Sequence, residues 1–302
     1  MKLFFHGFWP GFLDGTDSCT VQTFLKLLSN VVVVHPKTEH TNKPIVIEIA
    51  KSPQEADVLV ESVFSKTSLV SFKKWRATIQ FSCEPYYRNP RMYTVTLKSD
   101  RTHDNIVYFP VFAYYLEENG GLARFYDMVT PKVHRIPPKF CCFIVSNPHC
   151  SVRNHMFHRL SQYKRVDSCG KFLNNIEGGP VTFAYNSPEQ LQFISQYKFI
   201  ICFENAKTEA YITEKPINAY LARVVPIYWS THYAKEIFHM ESMVFLEDES
   251  KADAFDAVVE RVKQLDQDDE AYLRMVNTSP FKTLPYSMQE IAASVSKWLP
   301  IF

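Results

Sequence analysis

The chain has 302 residues, 46% of them hydrophobic and 15% aromatic, and a formal net charge of +1. That length accommodates two domains with sizeable cores, and the apolar content excludes a disordered chain. Near-neutral charge without a basic stripe argues against a nucleic-acid binder, so an anionic ligand has to be met by a few placed cations.

In chain order, a short strand over 3–5 leads into a loop punctuated by Gly7, Pro10 and Gly11. Its aromatics Phe8, Trp9 and Phe12 either pack beneath the loop or form a stacking platform for a sugar. A helix is expected over 21–28 and strands over 31–34, 45–49, 58–63 and 77–83, an alternation that implies an open α/β sheet. The strand over 77–83 runs out at Glu84, and a carboxylate at a strand's carboxyl end lies on the functional rim of such a sheet. Strands follow over 93–97 and 106–109. Gly120, Gly121, Pro131, Pro137 and Pro138 then bracket a stretch that reads as polar and irregular. The domain boundary is placed there, giving domains 1–138 and 139–302.

The second half opens with an apolar strand over 139–145 that ends in Ser146 and Asn147, followed by a helix over 152–162 with Arg153 near its start. A strand over 198–203, a polar loop, a helix over 214–223 and a strand over 224–229 form a βαβ crossover. Thr213 is the expected N-cap, Pro216 sits harmlessly in the first turn, and Ile217, Tyr220 and Leu221 mark one apolar face. Glu204, Asn205, Tyr211, Glu214 and Lys215 then converge at a mouth facing a helix N-terminus, which favours an anion. A lysine for phosphate and a glutamate for hydroxyls is what a nucleotide sugar needs. Arg153 is placed to reach the same mouth and fork onto phosphate oxygens. Without a ligand, the same residues read as a capped helix with two solvated charges. A strand over 243–246 and helices over 251–265, 272–276 and 288–298 complete the chain.

Seven cysteines at irregular spacing, adjacent Cys141 and Cys142 among them, form no disulfide framework and fit a reducing compartment. No segment approaches the roughly 20 apolar residues of a membrane-spanning helix. The N-terminus reads as a strand and not as a signal peptide, so a soluble or cytoplasmic protein is expected. His155 and His158 lack a third metal ligand, and Asp266-Gln267-Asp268 reads as a solvated helix terminus. No metal site is expected.

Three pieces of the crossover carry a resemblance. Phe203-Glu204-Asn205, then Tyr211-Ile212-Thr213-Glu214-Lys215, then Pro226-Ile227-Tyr228-Trp229 stand in the order and spacing of the donor-binding motif of the α1,3/1,4-fucosyltransferases, glycosyltransferase family 10. A weaker likeness runs from about Ala77 to about Pro280. The resemblance implies two Rossmann-like domains facing across a cleft, the GT-B architecture, with the acceptor sugar on the first domain and the donor on the second. It also implies a terminal helix that returns to brace the first domain.

The implied activity is inverting transfer of L-fucose from GDP-fucose to a hydroxyl, O3 by expectation, of an N-acetylglucosamine-type residue in a glycan, with no further cofactor. Glu84 matches the family's catalytic base. Arg153, in the context Ser146-Asn147-x(5)-Arg153, matches a contact to the donor diphosphate. Asn205 and Glu214 would hold sugar or ribose hydroxyls, Tyr211 would line the donor pocket, and Glu204 would tether the loop. Tyr86, Tyr87, Arg88 and Arg91 are candidates to line the acceptor cleft. Ser230 stands where the family commonly has glycine, and the first half is short. Two alternatives remain: a transferase for another nucleotide sugar, and a non-catalytic carbohydrate-binding protein on this scaffold.

Overall fold

The computed structural model describes residues 1–17, 19–31, 46–100, 102–184 and 187–299. Most of the strand expected over 31–34, the first residue of that over 45–49, and Tyr185 with Asn186 lie outside the described residues. The chain divides into two units, Met1–Glu118 with Tyr286–Phe302, and Asn119–Pro285.

The first unit holds β1 (Lys2–His6), α1 (Gln22–Ser29), β2 (Glu48–Ile49), β3 (Val58–Ser62), β4 (Ala77–Ser82), β5 (Val95–Lys98), β6 (Ile106–Tyr108) and α2 (Val111–Glu118). Its strands pair in parallel in the order β2-β1-β3-β4-β5-β6. β3, β4 and β5 are buried along their whole length, as strands covered on both faces must be. The register lines up Phe5, Val60, Ile79 and Val95 on one face. Phe24 of α1 packs there against Phe5 and Phe81, with ring centroids 6.1 and 4.8 Å away. Phe12 is fully buried and stacks on Phe8 at 4.1 Å, while Trp9 donates its indole N–H to the Cys19 carbonyl at 3.0 Å. These aromatics therefore build the core beneath the β1 loop, the packing reading of that stretch.

The second unit holds α3 (Gly121–Val129), β7 (Lys139–Phe143), α4 (Ser151–Ser161), β8 (Val166–Ser168), α5 (Pro188–Ile194), β9 (Tyr197–Ile201), α6 (Glu214–Leu221), β10 (Val225–Tyr228), α7 (Ala234–Ile237), β11 (Val244–Phe245), α8 (Ala254–Gln267) and α9 (Asp269–Val276). Its sheet is again parallel, in the order β11-β10-β9-β7-β8. Phe143, Phe199, Ile201 and Ile227 from the strands meet Met156 of α4, Val262 and Leu265 of α8 and Tyr272 of α9 in one core. The last helix, α10 (Met288–Ser296), belongs to the first unit and packs on α1 and β6, as the resemblance implies.

Three elements differ from the sequence reading. The stretch expected to be irregular, bracketed by Gly120 and Pro138, opens with α3, and Gly120 and Gly121 at its start both have positive φ. The glycines supply the left-handed backbone at the start of α3, and Phe125 and Val129 supply its buried face. The division of the chain falls at Glu118/Asn119 and not at 138/139. The 131–138 stretch is tied to the second unit: Val133 exchanges two backbone hydrogen bonds with the Asn277 side chain, at 2.7 and 2.9 Å. β8 was not expected, since three residues carry no readable period.

Candidate functional site

The chain runs from β7 to the edge strand β8 and then returns to lay β9 on the other side of β7. In an open parallel sheet such a reversal opens a crevice between the carboxyl ends of the two strands. Ser146 and Asn147 leave β7 on one side of it, and Glu204 and Asn205 leave β9 on the other. The loop after β8 presses on the same edge. A Cβ on Gly170 would sit 2.2 Å from the Val145 carbonyl oxygen, so only glycine fits there.

Arg153, in the first turn of α4, spans this crevice. Nη1 donates to Asn205 Oδ1 and Nη2 to the Asn147 carbonyl, both at 2.7 Å. The residue is 2% exposed, not the open fork expected from sequence. Its two terminal nitrogens reach the protein because the β7 and β9 loops close over α4. Burial draws its pKa down, while Cys150, Glu204 and Tyr211 favour the cation. A guanidinium has five N–H donors, so donors remain beyond these two bonds, and the buried Nε has no partner among the described residues.

Glu204 is fully buried. Its carboxylate accepts from Thr213 N at 2.8 Å, Thr213 Oγ1 at 2.8 Å, Lys215 Nζ at 3.0 Å and Tyr228 Oη at 2.9 Å. The loop tether expected of it is therefore present. Thr213 holds the N-cap position of α6, but its hydroxyl makes no cap bond. It is turned to Glu204 and also accepts from Lys215 Nζ at 3.0 Å. One acceptor position of the Thr213 hydroxyl is taken by Lys215 Nζ, and Pro216 in the first turn has no N–H to be capped, so the N–H groups of Glu214 and Lys215 get no side-chain cap from Thr213. Lys215 keeps 22% of its side chain exposed and stands 3.8 Å from Glu214 Oε1. Burial opposes its charge, yet Glu204 and Glu214 outweigh that and hold its pKa above the ordinary lysine value.

Around this centre Tyr211 is buried, and its carbonyl accepts from Ser230 Oγ at 2.9 Å. The Ser230 hydroxyl thus fastens the 205–212 loop. Asn205, Ser146 and Asn147 are exposed, and Asn147 Oδ1 accepts from His149 N at 2.9 Å. The sequence reading missed Glu249, beyond β11. It accepts from Trp229 Nε1 at 2.9 Å and Lys207 Nζ at 2.8 Å, latching the 205–212 loop. No local pattern signals this, because the three residues come from three loops.

In the first unit Glu84 follows β4 at its carboxyl end, half-buried, with its N–H donating to Ser82 Oγ at 3.2 Å. Lys98 supports the same loop through the Pro85 carbonyl at 3.4 Å and lies 4.6 Å over the Tyr87 ring. The corresponding reversal in this sheet lies between β1 and β3, and its own residues fill it. Arg88 donates to the Ser62 and Ser65 carbonyls. A Cβ on Gly7 would meet Ser65 Cβ at 2.2 Å. Glu61 behind them is fully buried and accepts from Tyr93 Oη, Ser68 Oγ and Leu69 N. Of these two strand-end carboxylates, Glu84 alone retains solvent exposure.

Two further motifs resolve differently. His155 packs its ring 4.4 Å from that of Phe255. Asp266, read from sequence as solvated, has a side chain only 5% exposed, held by Lys164 at 2.9 Å, Lys198 at 3.2 Å and Tyr163 at 3.0 Å. Asp268 caps α9 through Ala271 N at 2.9 Å. Among the described residues no group of three or more His, Cys, Asp or Glu could hold a metal ion, and no helix is long and apolar enough to cross a membrane.

The family model for glycosyltransferase family 10 (fucosyltransferase), C-terminal part, matches residues 137–290, just over half of the chain. The α-(1,3)-fucosyltransferase FucT of Helicobacter pylori is 34% identical over 145 residues, covering 48% of this chain and 28% of that protein. GDP-fucose protein O-fucosyltransferase 3 of Danio rerio is 32% identical over 133 residues, covering 41% and 27%. The chain thus spans less than a third of the length of the curated relatives it matches. The crystal structure of an α1,3-fucosyltransferase with GDP-fucose matches the fold with a TM-score of 0.68 at 20% identity, over 99% of this chain and 90% of that one. Two Rossmann-like units of this kind are the GT-B class of fold.

Proposed function

This chain belongs to glycosyltransferase family 10, and from that premise we propose that it transfers L-fucose from GDP-fucose to a hydroxyl of a glycan acceptor, with inversion at the anomeric carbon. The observation that carries the reading is the crevice between β7 and β9. It holds a buried guanidinium, Arg153, a partly exposed ammonium, Lys215, and the uncapped first turn of α6. That combination suits a diphosphate.

As the bond from fucose to the diphosphate breaks, negative charge grows on the leaving group. Lys215, Arg153 and the α6 N–H groups stabilise it where it develops. Asn205, Glu214 and Tyr211, with Ser146 and Asn147 at the rim, hold the hydroxyls of the donor. Glu84 accepts the proton of the attacking hydroxyl, a contribution of about 10²–10⁴ in rate. In this reading the second unit binds the donor, the first unit the acceptor, and no metal is needed. The acceptor hydroxyl is O3 of an N-acetylglucosamine-type residue. A relative named as a protein O-fucosyltransferase favours one second reading, a hydroxyl on a protein.

Calorimetry with GDP-fucose on Lys215→Ala and Glu84→Gln tests the roles. The first variant binds the donor far more weakly; the second keeps donor binding and loses turnover. Normal turnover by Glu84→Gln would refute the base assignment. A panel of glycans and peptides, with GDP release as the signal, separates the acceptors.

A further inference from the structure

We infer that Glu204 is a positioning residue of this donor site, holding Lys215 and the start of α6 in the geometry a diphosphate meets; the inference rests on the donor-site proposal. Its carboxylate joins three segments of the βαβ unit: the loop after β9, the first turn of α6 and the end of β10. Oε1 takes Thr213 N and Tyr228 Oη, and Oε2 takes Thr213 Oγ1 and Lys215 Nζ. A carboxylate has about four acceptor positions, and all are used. Being fully buried, Glu204 touches no ligand itself and acts through the lysine.

An ammonium has three N–H donors. Glu204 and Thr213 take two of those on Lys215, each at 3.0 Å, so the third is left for a ligand oxygen. Lysine carries its charge on a long flexible stem, and fixing that stem beforehand removes an ordering cost from each binding event. A glutamine at this position would offer one acceptor oxygen and set an NH₂ donor beside the ammonium or the tyrosine. The lysine would be released.

The test is a double-mutant cycle read by calorimetric titration with GDP, carried into the millimolar range. Glu204→Gln is expected to weaken GDP binding about tenfold or more, the size of one charged hydrogen bond. Placed on Lys215→Ala, the same change should alter affinity less than about twofold, since no lysine remains to be positioned. Equal losses in both backgrounds, or wild-type affinity in Glu204→Gln, overturn the inference. If Glu204→Gln does not fold, Thr213→Val replaces it in the same cycle, because it removes the hydroxyl between carboxylate and ammonium and keeps the side-chain shape. Wild-type GDP affinity in Lys215→Ala would instead sink the donor-site reading itself.

Discussion

Replacing Arg153 with lysine keeps the positive charge and removes the span. The guanidinium makes two hydrogen bonds of 2.7 Å, to Asn205 Oδ1 across the crevice and to the Asn147 carbonyl behind it. A single ammonium cannot reach both with the same geometry, so Arg153→Lys forfeits at least one charged hydrogen bond, about 1.5–3 kcal/mol. Part of that loss falls on stability. The rest falls on Asn205, which loses its fixed position on the exposed lip. The donor affinity should drop roughly tenfold, since about 1.4 kcal/mol is a factor of ten. Arg153→Met goes further, because it removes both bonds and leaves Glu204 without one of its neighbouring cations. Breaking a buried charge arrangement on one side costs about 3–5 kcal/mol, and the melting temperature should fall more steeply than in the lysine variant. GDP titration and thermal melts on the two variants give both quantities. If Arg153→Lys binds GDP as the wild type does, geometry is irrelevant at this position and the crevice reading loses its floor.

Other outcomes follow from single observations. Gly170→Ala drives a methyl to within 2.2 Å of the Val145 carbonyl, and overpacking of this kind costs about 1–3 kcal/mol or more; a melt unchanged from wild type would show that the β8 loop is not pinned there. Arg223 has φ of 59° just past the end of α6, a conformation that favours glycine. Its side chain nonetheless donates to the Val129 and Pro131 carbonyls and Asn277 Oδ1. Arg223→Gly should therefore destabilise in spite of the relieved backbone, and a gain in melting temperature would contradict this. Burial raises the pKa of Glu249, but the bonds from Lys207 and Trp229 win and leave it below the usual carboxylate value. A lowered folded-state pKa gives stability that is complete above the unfolded value, near 4.3 by ordinary reference, and is lost as pH falls through the folded one. Glu249→Gln should thus be less stable than wild type at neutral pH, and the two should converge in acid. A gap that does not change with pH would show that the latch carries no ionic component.

What the sequence determined by itself is local. Apolar runs of strand length, the periodic face of Ile217, Tyr220 and Leu221, and the order of Phe203-Glu204-Asn205 and Thr213-Glu214-Lys215 are properties of neighbouring residues, and neighbouring residues are enough to specify a βαβ unit. Tertiary structure decided everything that depends on partners distant in the chain. Asp266 looked solvated because its exposure is set by Lys164 and Lys198, about 100 and 70 residues away by the numbering. Arg153 looked like an open fork because the loops that cover it start at other strands. Thr213 looked like a cap, but its hydroxyl had a buried carboxylate within reach. The same holds for α10, whose apolar face pairs with α1 nearly the whole chain earlier. Burial and hydrogen bonding are set by the distance between groups in space, and a one-dimensional pattern encodes that distance only where the chain itself is short.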